Sequence, residues 1–500
     1  MRTRIIYMLR LPAALLLGFA AVTSANIANA ATAQRKSIMD LTAQEVASLR
    51  HGVQQMMYWS KDPKGSDNYR RSWAYWANMH AHFGDDCEGP VTRAGMGGVL
   101  AIIATSDDEK ATWCTCEHGT YGFLTWHRMH LYYFEKVIAT AARDPALRLP
   151  YWDYEHDTKL PPAFREETYL DNGVTKKNPL YVVARNARLN AGTAGLDPNT
   201  TSSKSAFSLA DYWGGGVGFN GVLERAPHGA VHCALGVAGC RTGLMGAVPA
   251  AALDPIFYLH HTNIDRLNEC WLSADSAHRL PSDQARLDDS YSFPDEKGRI
   301  VKRRVCDMLE AGALGYGYTK PARCPQSARP RAGGFQSILQ RSELVIGGPA
   351  AIGTGGASEQ LEVSPALRSA FRTSRSQAGA PSTRALAVGG ITYDRPPASL
   401  YKVYLVRGRA RAQIGTINFF SGRHARGAHA NPAASGFDAV FPLTDVPATL
   451  RLEDAHPGQT RLEFEPATGL AGDSPDDAAR LNNPADNLRY ASVKLITTKP

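Results

Sequence analysis

The chain of 500 residues has no apolar run long enough to cross a bilayer with ease. Its one short candidate, Leu11 to Val22, follows Arg2, Arg4 and Arg10 and precedes Ala28-Asn29-Ala30, an A-x-A cleavage pattern. That order reads as a secretory signal peptide over residues 1–30. The mature chain is therefore expected to be exported, periplasmic or secreted, without stable membrane insertion. No twin arginine precedes the apolar run, which favours the general export route. A dense basic stripe interleaved with aromatics is also missing. The formal charge of +8 falls to +5 once the three signal arginines are gone. This is a mildly basic surface, and no nucleic-acid partner is expected. The absence of a fixed-period repeat excludes a solenoid. The absence of an H-E-x-x-H motif argues against a zinc hydrolase of that type.

What is present suffices for a large core: 44% of the residues are hydrophobic. Length suggests two or three domains. Residues 31–325 are rich in Trp, Tyr and His and carry helical periodicity. Residues 326–385 shift to Ser, Gly, Ala, Arg and Pro and read as a linker. Residues 386–500 alternate in strand fashion, as in Leu400 to Val406 and Ala412 to Phe420, and predict a C-terminal β-sandwich or barrel. Eight cysteines in an exported chain suggest disulfides. Proximity makes Cys233–Cys240 and Cys306–Cys324 plausible pairs.

Four segments of the first domain carry inward histidines. Over about Asp67 to His82, the residues Tyr69, Trp73, Trp76 and His80 share one helical face. His118 precedes a second helix, on which His127, Leu131, Phe134 and Ile138 share a face. In the third segment Pro227 suits a first helical turn. His228 and His232 then stand at i and i+4, with Cβ atoms about 5–6 Å apart. In the fourth, Asp254 caps a helix with Pro255 at its first position. Phe257, His261, Ile264 and Asn268 line its inner face, and His260 points elsewhere as a structural group. Clustered imidazoles without thiolate or carboxylate suit copper, zinc, iron or nickel.

Two of these segments resemble the copper signatures of the tyrosinase, catechol oxidase and haemocyanin family. His118-x4-Phe123-Leu124-x-Trp126-His127-Arg128-x2-Leu131-x3-Glu135 resembles the first signature. Asp254-Pro255-x-Phe257-Tyr258-x2-His261-x3-Asp265 resembles the second. The resemblance implies a mainly α catalytic domain, a four-helix bundle holding two copper ions. His80, His118 and His127 would hold copper A; His228, His232 and His261 would hold copper B. Cys116-Glu117-His118 resembles the C-x-H in which the cysteine sulfur bonds to the histidine ring as a thioether. Asp153, in Leu149-Pro150-Tyr151-Trp152-Asp153, and Asp265 are candidate acceptors for ligand N–H groups. Leu314-Gly-Tyr316-Gly-Tyr318 resembles the Tyr-x-Tyr stretch that closes the catalytic domain in plant polyphenol oxidases. The C-terminal domain of such relatives can cover the copper site.

The implied chemistry is oxidation of small phenols or catechols to o-quinones by dioxygen. Glu224, four residues before His228, resembles the glutamate that handles protons in plant-type relatives. Gly229 stands where many efficient monophenol hydroxylases have Asn, which weakens the case for phenol hydroxylation. Val248 aligns with a gate position, where a small residue leaves the entrance open. The expected function is a tyrosinase. A catechol or o-aminophenol oxidase, and an oxygen carrier like haemocyanin, are the alternatives.

Overall fold

In the computed structural model of the chain, the described residues are 33–81, 106–113, 115–275, 278, 280–319, 324, 340–364, 383–420, 436–452 and 458–499. They all belong to one compact unit, Ala33–Pro500. The expected signal peptide, His82, Cys87 and Cys114 lie outside them. Among the described residues no helix is long and apolar enough to cross a membrane.

The helical part begins with β1 (Ala33–Arg35), which pairs in parallel with β2 (Tyr316–Tyr318) and closes that part on itself. Helix α1 (Ala43–Trp59) starts at a capping box, in which Thr42 and Glu45 satisfy each other's backbone N–H groups. Helix α2 (Trp73–His80) carries the first histidine at its last residue. The expected single helix over 67–82 is two: a turn over Asp67–Arg70, then α2. Ser72 causes the break, because its side chain accepts the Tyr75 N–H and starts a new helix. Helix α3 (Phe123–Ala142) lies against α1. They come close at Gly52, where a Cβ would stand 2.7 Å from Ile138 Cγ1. Helix α4 (Ala230–Leu235) continues a π-helical turn, Glu224–Gly229. Within that turn Ala226 is extended (φ −142°, ψ 126°), the conformation a residue before proline prefers. Helix α5 (Ile256–Ala274) is buried on every side from Ile256 to Asn268.

The C-terminal part is β-rich. Strands β3 (Gln340–Gly347), β5 (Thr383–Ile391), β8 (Phe437–Pro442) and β10 (Ser492–Lys499) form one sheet, in the order β8-β5-β10-β3. Strands β4 (Ala357–Gln360), β6 (Leu400–Arg407), β7 (Ala410–Ile417) and β9 (Thr460–Ala467) form another, in the order β7-β6-β9-β4. All neighbours are antiparallel. Leu405 faces Leu462 and Val403 faces Phe464 across β6 and β9, so one face of that pair is apolar.

The expected linker over 326–385 is corrected here. Residues 340–347 and 357–360 are edge strands of the two sheets, so the β-rich part begins at Gln340 rather than 386. One apolar cluster runs through both parts, from Trp126 and Phe257 to Leu405 and Phe464. Polar ties reinforce it. Lys402 pairs with Asp197 at 2.7 Å, Arg188 with Asp473 at 2.6 Å, and the Cys240 amide donates to the Ala398 carbonyl.

Candidate metal centre

Six elements of sequence bring their imidazoles to one place. His80 ends α2, His118 lies in the loop before α3, and His127 stands one turn into α3. His228 lies in the π-turn, His232 on α4 and His261 on α5. The first three rings have centroids 5.1–5.7 Å apart. The second three are 4.7–5.6 Å apart. Where the triads meet, His127 and His261 stack at 4.4 Å. All six rings are at most 2% exposed.

Orientation comes from main-chain carbonyls. The Nδ1 atoms of His80, His127, His228 and His232 bond to the carbonyls of Val248, Phe123, Glu224 and Met245 at 3.1, 2.7, 3.1 and 3.0 Å. A ring that donates from Nδ1 leaves Nε2 as a lone-pair donor. The Nε2 of His228 is buried with no hydrogen-bond partner among the described residues, and those of His232 and His261 face each other at 3.4 Å. Burial disfavours the charged form, and the neutral ring is the ligating one: His127 is pushed down to about 3. His228, His232 and His261 are held well below the ordinary value by burial and neighbouring imidazoles. A buried donor set made of neutral imidazoles fits copper.

Each triad has a fourth neighbour. Cys116 Sγ lies 3.6 Å from His118 Nδ1 and 3.4 Å from His127 Nε2. His260 joins the second group, stacked on His228 at 5.3 Å. The expectation that His260 points away is corrected: α5 has no solvent face at this level, so a turn of the helical wheel still leaves the ring inside. The two carboxylates expected to orient ligands do not do so. Asp153 pairs with Arg266 and His156. Asp265 accepts from Arg128 at 2.6 Å, Arg35 at 3.2 Å and Tyr316 at 2.7 Å. Burial would raise the Asp265 carboxyl, but the two arginines outweigh it and hold it low. This network fastens α3 and α5 to β1 and β2 behind the histidines.

The remaining residues fall as follows. Glu224 is buried and accepts the Gly119 N–H at 2.6 Å, which ties the His118 loop to the π-turn. Burial pushes its carboxyl up to about 8. Val248 is 3% exposed, and its carbonyl is what holds His80. Gly229 follows His228 in helical geometry. The cysteines pair as Cys233–Cys240 and Cys270–Cys324. The second replaces the expected Cys306–Cys324 pair, because the chain returns to the C-terminal end of α5. Sequence reasoning missed two residues just beyond β7. Phe420 stacks on His232 at 3.7 Å and lies 5.7 Å from His228, and Asn418 Nδ2 donates to the Arg225 carbonyl at 2.7 Å. Both lie at the end of an ordinary strand pattern that gives no sign of a contact more than 180 residues away.

The common central domain of tyrosinase matches residues 70–211 and 185–274, and the polyphenol oxidase middle domain matches 281–330. The chain belongs to the tyrosinase and polyphenol oxidase family. Members of this family use two copper ions, and the two histidine groups provide for them. Tyrosinase HcTyr1 of Hahella sp. (strain CCB-MM4) is 36% identical over 235 residues, 41% of this chain and 48% of that protein. Polyphenol oxidase A1, chloroplastic, of Vicia faba is 27% identical over 282 residues, 50% of this chain and 42% of that one. The chain thus spans about half the length of the curated relatives it matches. In fold it is similar to a latent aurone synthase (polyphenol oxidase), with a TM-score of 0.57 at 15% identity over 95% of this chain and 91% of that one.

Proposed function

We propose that this family member is an exported tyrosinase, which uses dioxygen to hydroxylate small monophenols and to oxidise o-diphenols to o-quinones. The six-imidazole arrangement, with ring nitrogens converging and no carboxylate among them, carries the reading. Two bound copper ions would supply the redox and dioxygen chemistry. His80, His118 and His127 would hold one, and His228, His232 and His261 the other. Carbonyls fix four of the six rings, His80, His127, His228 and His232, so the geometry of those ligands is set before any metal arrives.

A phenol has a pKa near 10 and must give up its proton to bind as phenolate. Glu224 is assigned that proton. Its support is a buried carboxyl poised near 8 beside the His118 loop. The Cys116 sulfur, held against the His118 ring, is assigned to a thioether with it. The segment Asn418–Phe420 is read as a cover that restrains activity until it lifts. Phe420 stacked on His232 supports this, and it makes Phe420 rather than Val248 the group at the entrance. A catechol or o-aminophenol oxidase is the second reading, favoured by Gly229, which offers no side chain beside His228.

Oxygen uptake by the copper-loaded chain and by its Phe420→Ala variant, with a monophenol and its matching o-diphenol in turn, tests the proposal. Uptake with both substrates is expected, with quinone formed from the monophenol after a lag. Uptake with the diphenol alone selects the second reading. Uptake with neither substrate in either protein removes the enzyme reading and leaves an oxygen carrier.

A further inference from the structure

Gly229 has φ −64° and ψ −31°, ordinary helix that any residue adopts. Its backbone gives no reason for glycine, and alanine would favour the helix. The reason is space. A Cβ at this position would stand 2.6 Å from both Cγ and Nδ2 of Asn418, and closer still to its Oδ1. Those atoms have little freedom to yield. The Asn418 side chain is buried; Nδ2 donates to the Arg225 carbonyl at 2.7 Å, and Oδ1 accepts the Phe420 N–H at 3.2 Å. One carboxamide therefore joins the π-turn that carries His228 to the residue stacked on His232.

We propose that Gly229 is the seat of a latch. Asn418 is a positioning residue that fills this seat and holds Phe420 over His232. A side chain at position 229 and a closed cover exclude each other. The residue after His228 therefore governs access to the metal centre as well as the surroundings of a bound phenol. The inference rests on the reading of Asn418–Phe420 as a cover.

The test uses the full-length chain without metal and two readouts. One is hydrogen exchange at the Phe420 amide; the other is carbethoxylation of His232 by diethyl pyrocarbonate, located by peptide mass spectrometry. Gly229→Ala is expected to speed both by about tenfold, the scale of one lost buried hydrogen bond. In an Asn418→Gly background, where the seat is already vacated, Gly229→Ala is expected to change neither. An unchanged His232 labelling rate in Gly229→Ala overturns the latch, as does an equal effect of Gly229→Ala in both backgrounds. Should Gly229→Ala lose its cooperative melt, Asn418→Gly alone decides: faster labelling of His232 supports the latch, and wild-type labelling overturns it. Catechol turnover of the copper-loaded variants separates this proposal from the reading beneath it. Faster exchange without gain in turnover keeps the latch and removes the cover's restraint on activity. A gain in Phe420→Ala with no opening in Gly229→Ala does the reverse.

Discussion

At the scale of single residues, burial does most of the chemical tuning. Glu224 shows it through its pKa of about 8, raised by burial and only partly offset by the Gly119 N–H. In the unfolded chain the group titrates near its ordinary value of about 4.3. Below that pH both states are protonated and the fold bears no penalty. As pH rises toward 8 the unfolded state releases a proton that the folded state keeps, so stability falls. In the metal-free protein, Glu224→Gln should therefore melt about 2–4 °C above wild type at pH 8 and level with it near pH 4. Equal melting at pH 8 would show that no such cost exists. Cys116 gives a second prediction. After copper and dioxygen exposure the intact chain should lack one pair of hydrogens relative to the Cys116→Ser control corrected for the exchanged atom, since forming the S–C bond removes the thiol and a ring hydrogen to the oxidant. An unshifted mass leaves Cys116 a thiol. The six histidines were legible because each sits in a motif or on an apolar stripe. The groups that orient them were not, since a main-chain carbonyl leaves no mark in a sequence and Asp153 and Asp265 drew attention through the motifs they stand in.

Secondary elements meet where side chains are missing or paired. Gly52 lets α1 approach α3, and a methyl group there would press on Ile138 Cγ1 at 2.7 Å and on its carbonyl at 3.0 Å. Gly52→Ala should destabilise the fold by about 1–3 kcal/mol, because the neighbouring atoms include rigid backbone. A denaturant midpoint equal to wild type would mean that α1 shifts freely. The helices that carry His127 and His261 were readable from their 3.6-residue stripes, and so was the one that carries His80, except where Ser72 restarts it. The strands were readable where apolar residues alternate, in central β6 and in β7 at the edge of the same sheet. In β3 most described side chains are exposed and Ile346 is one of the few buried, while β4 is the four residues Ala-Ser-Glu-Gln. An edge strand with little apolar alternation looks like a linker, which is why 340–360 was misread while Leu400–Arg407 was not.

Over the whole molecule, the helical and β-rich parts share one apolar cluster, and this decides how the proposed cover would open. Cleavage between Cys324 and Gln340 would leave all of β3 to β10 on one piece, and Cys324 bonded to Cys270 on the other. Cleavage within 365–382 would leave β3 and β4 on the helical piece, yet still paired with β10 and β9. In neither case does a cut break the shared core, the Lys402–Asp197 pair or the stacking of Phe420 on His232. A single nick at either place should therefore give two fragments on a denaturing gel but one particle in native gel filtration, with catechol turnover close to that of the uncut chain. Phe420→Ala, by contrast, should raise turnover by about tenfold with no cut at all, since an aromatic stack contributes about 0.5–1.5 kcal/mol beyond the area it buries. If a nick alone released the β-rich piece and turnover rose with it, the shared core would not be what holds the cover, and opening would be a matter of chain connection rather than of the contact at His232.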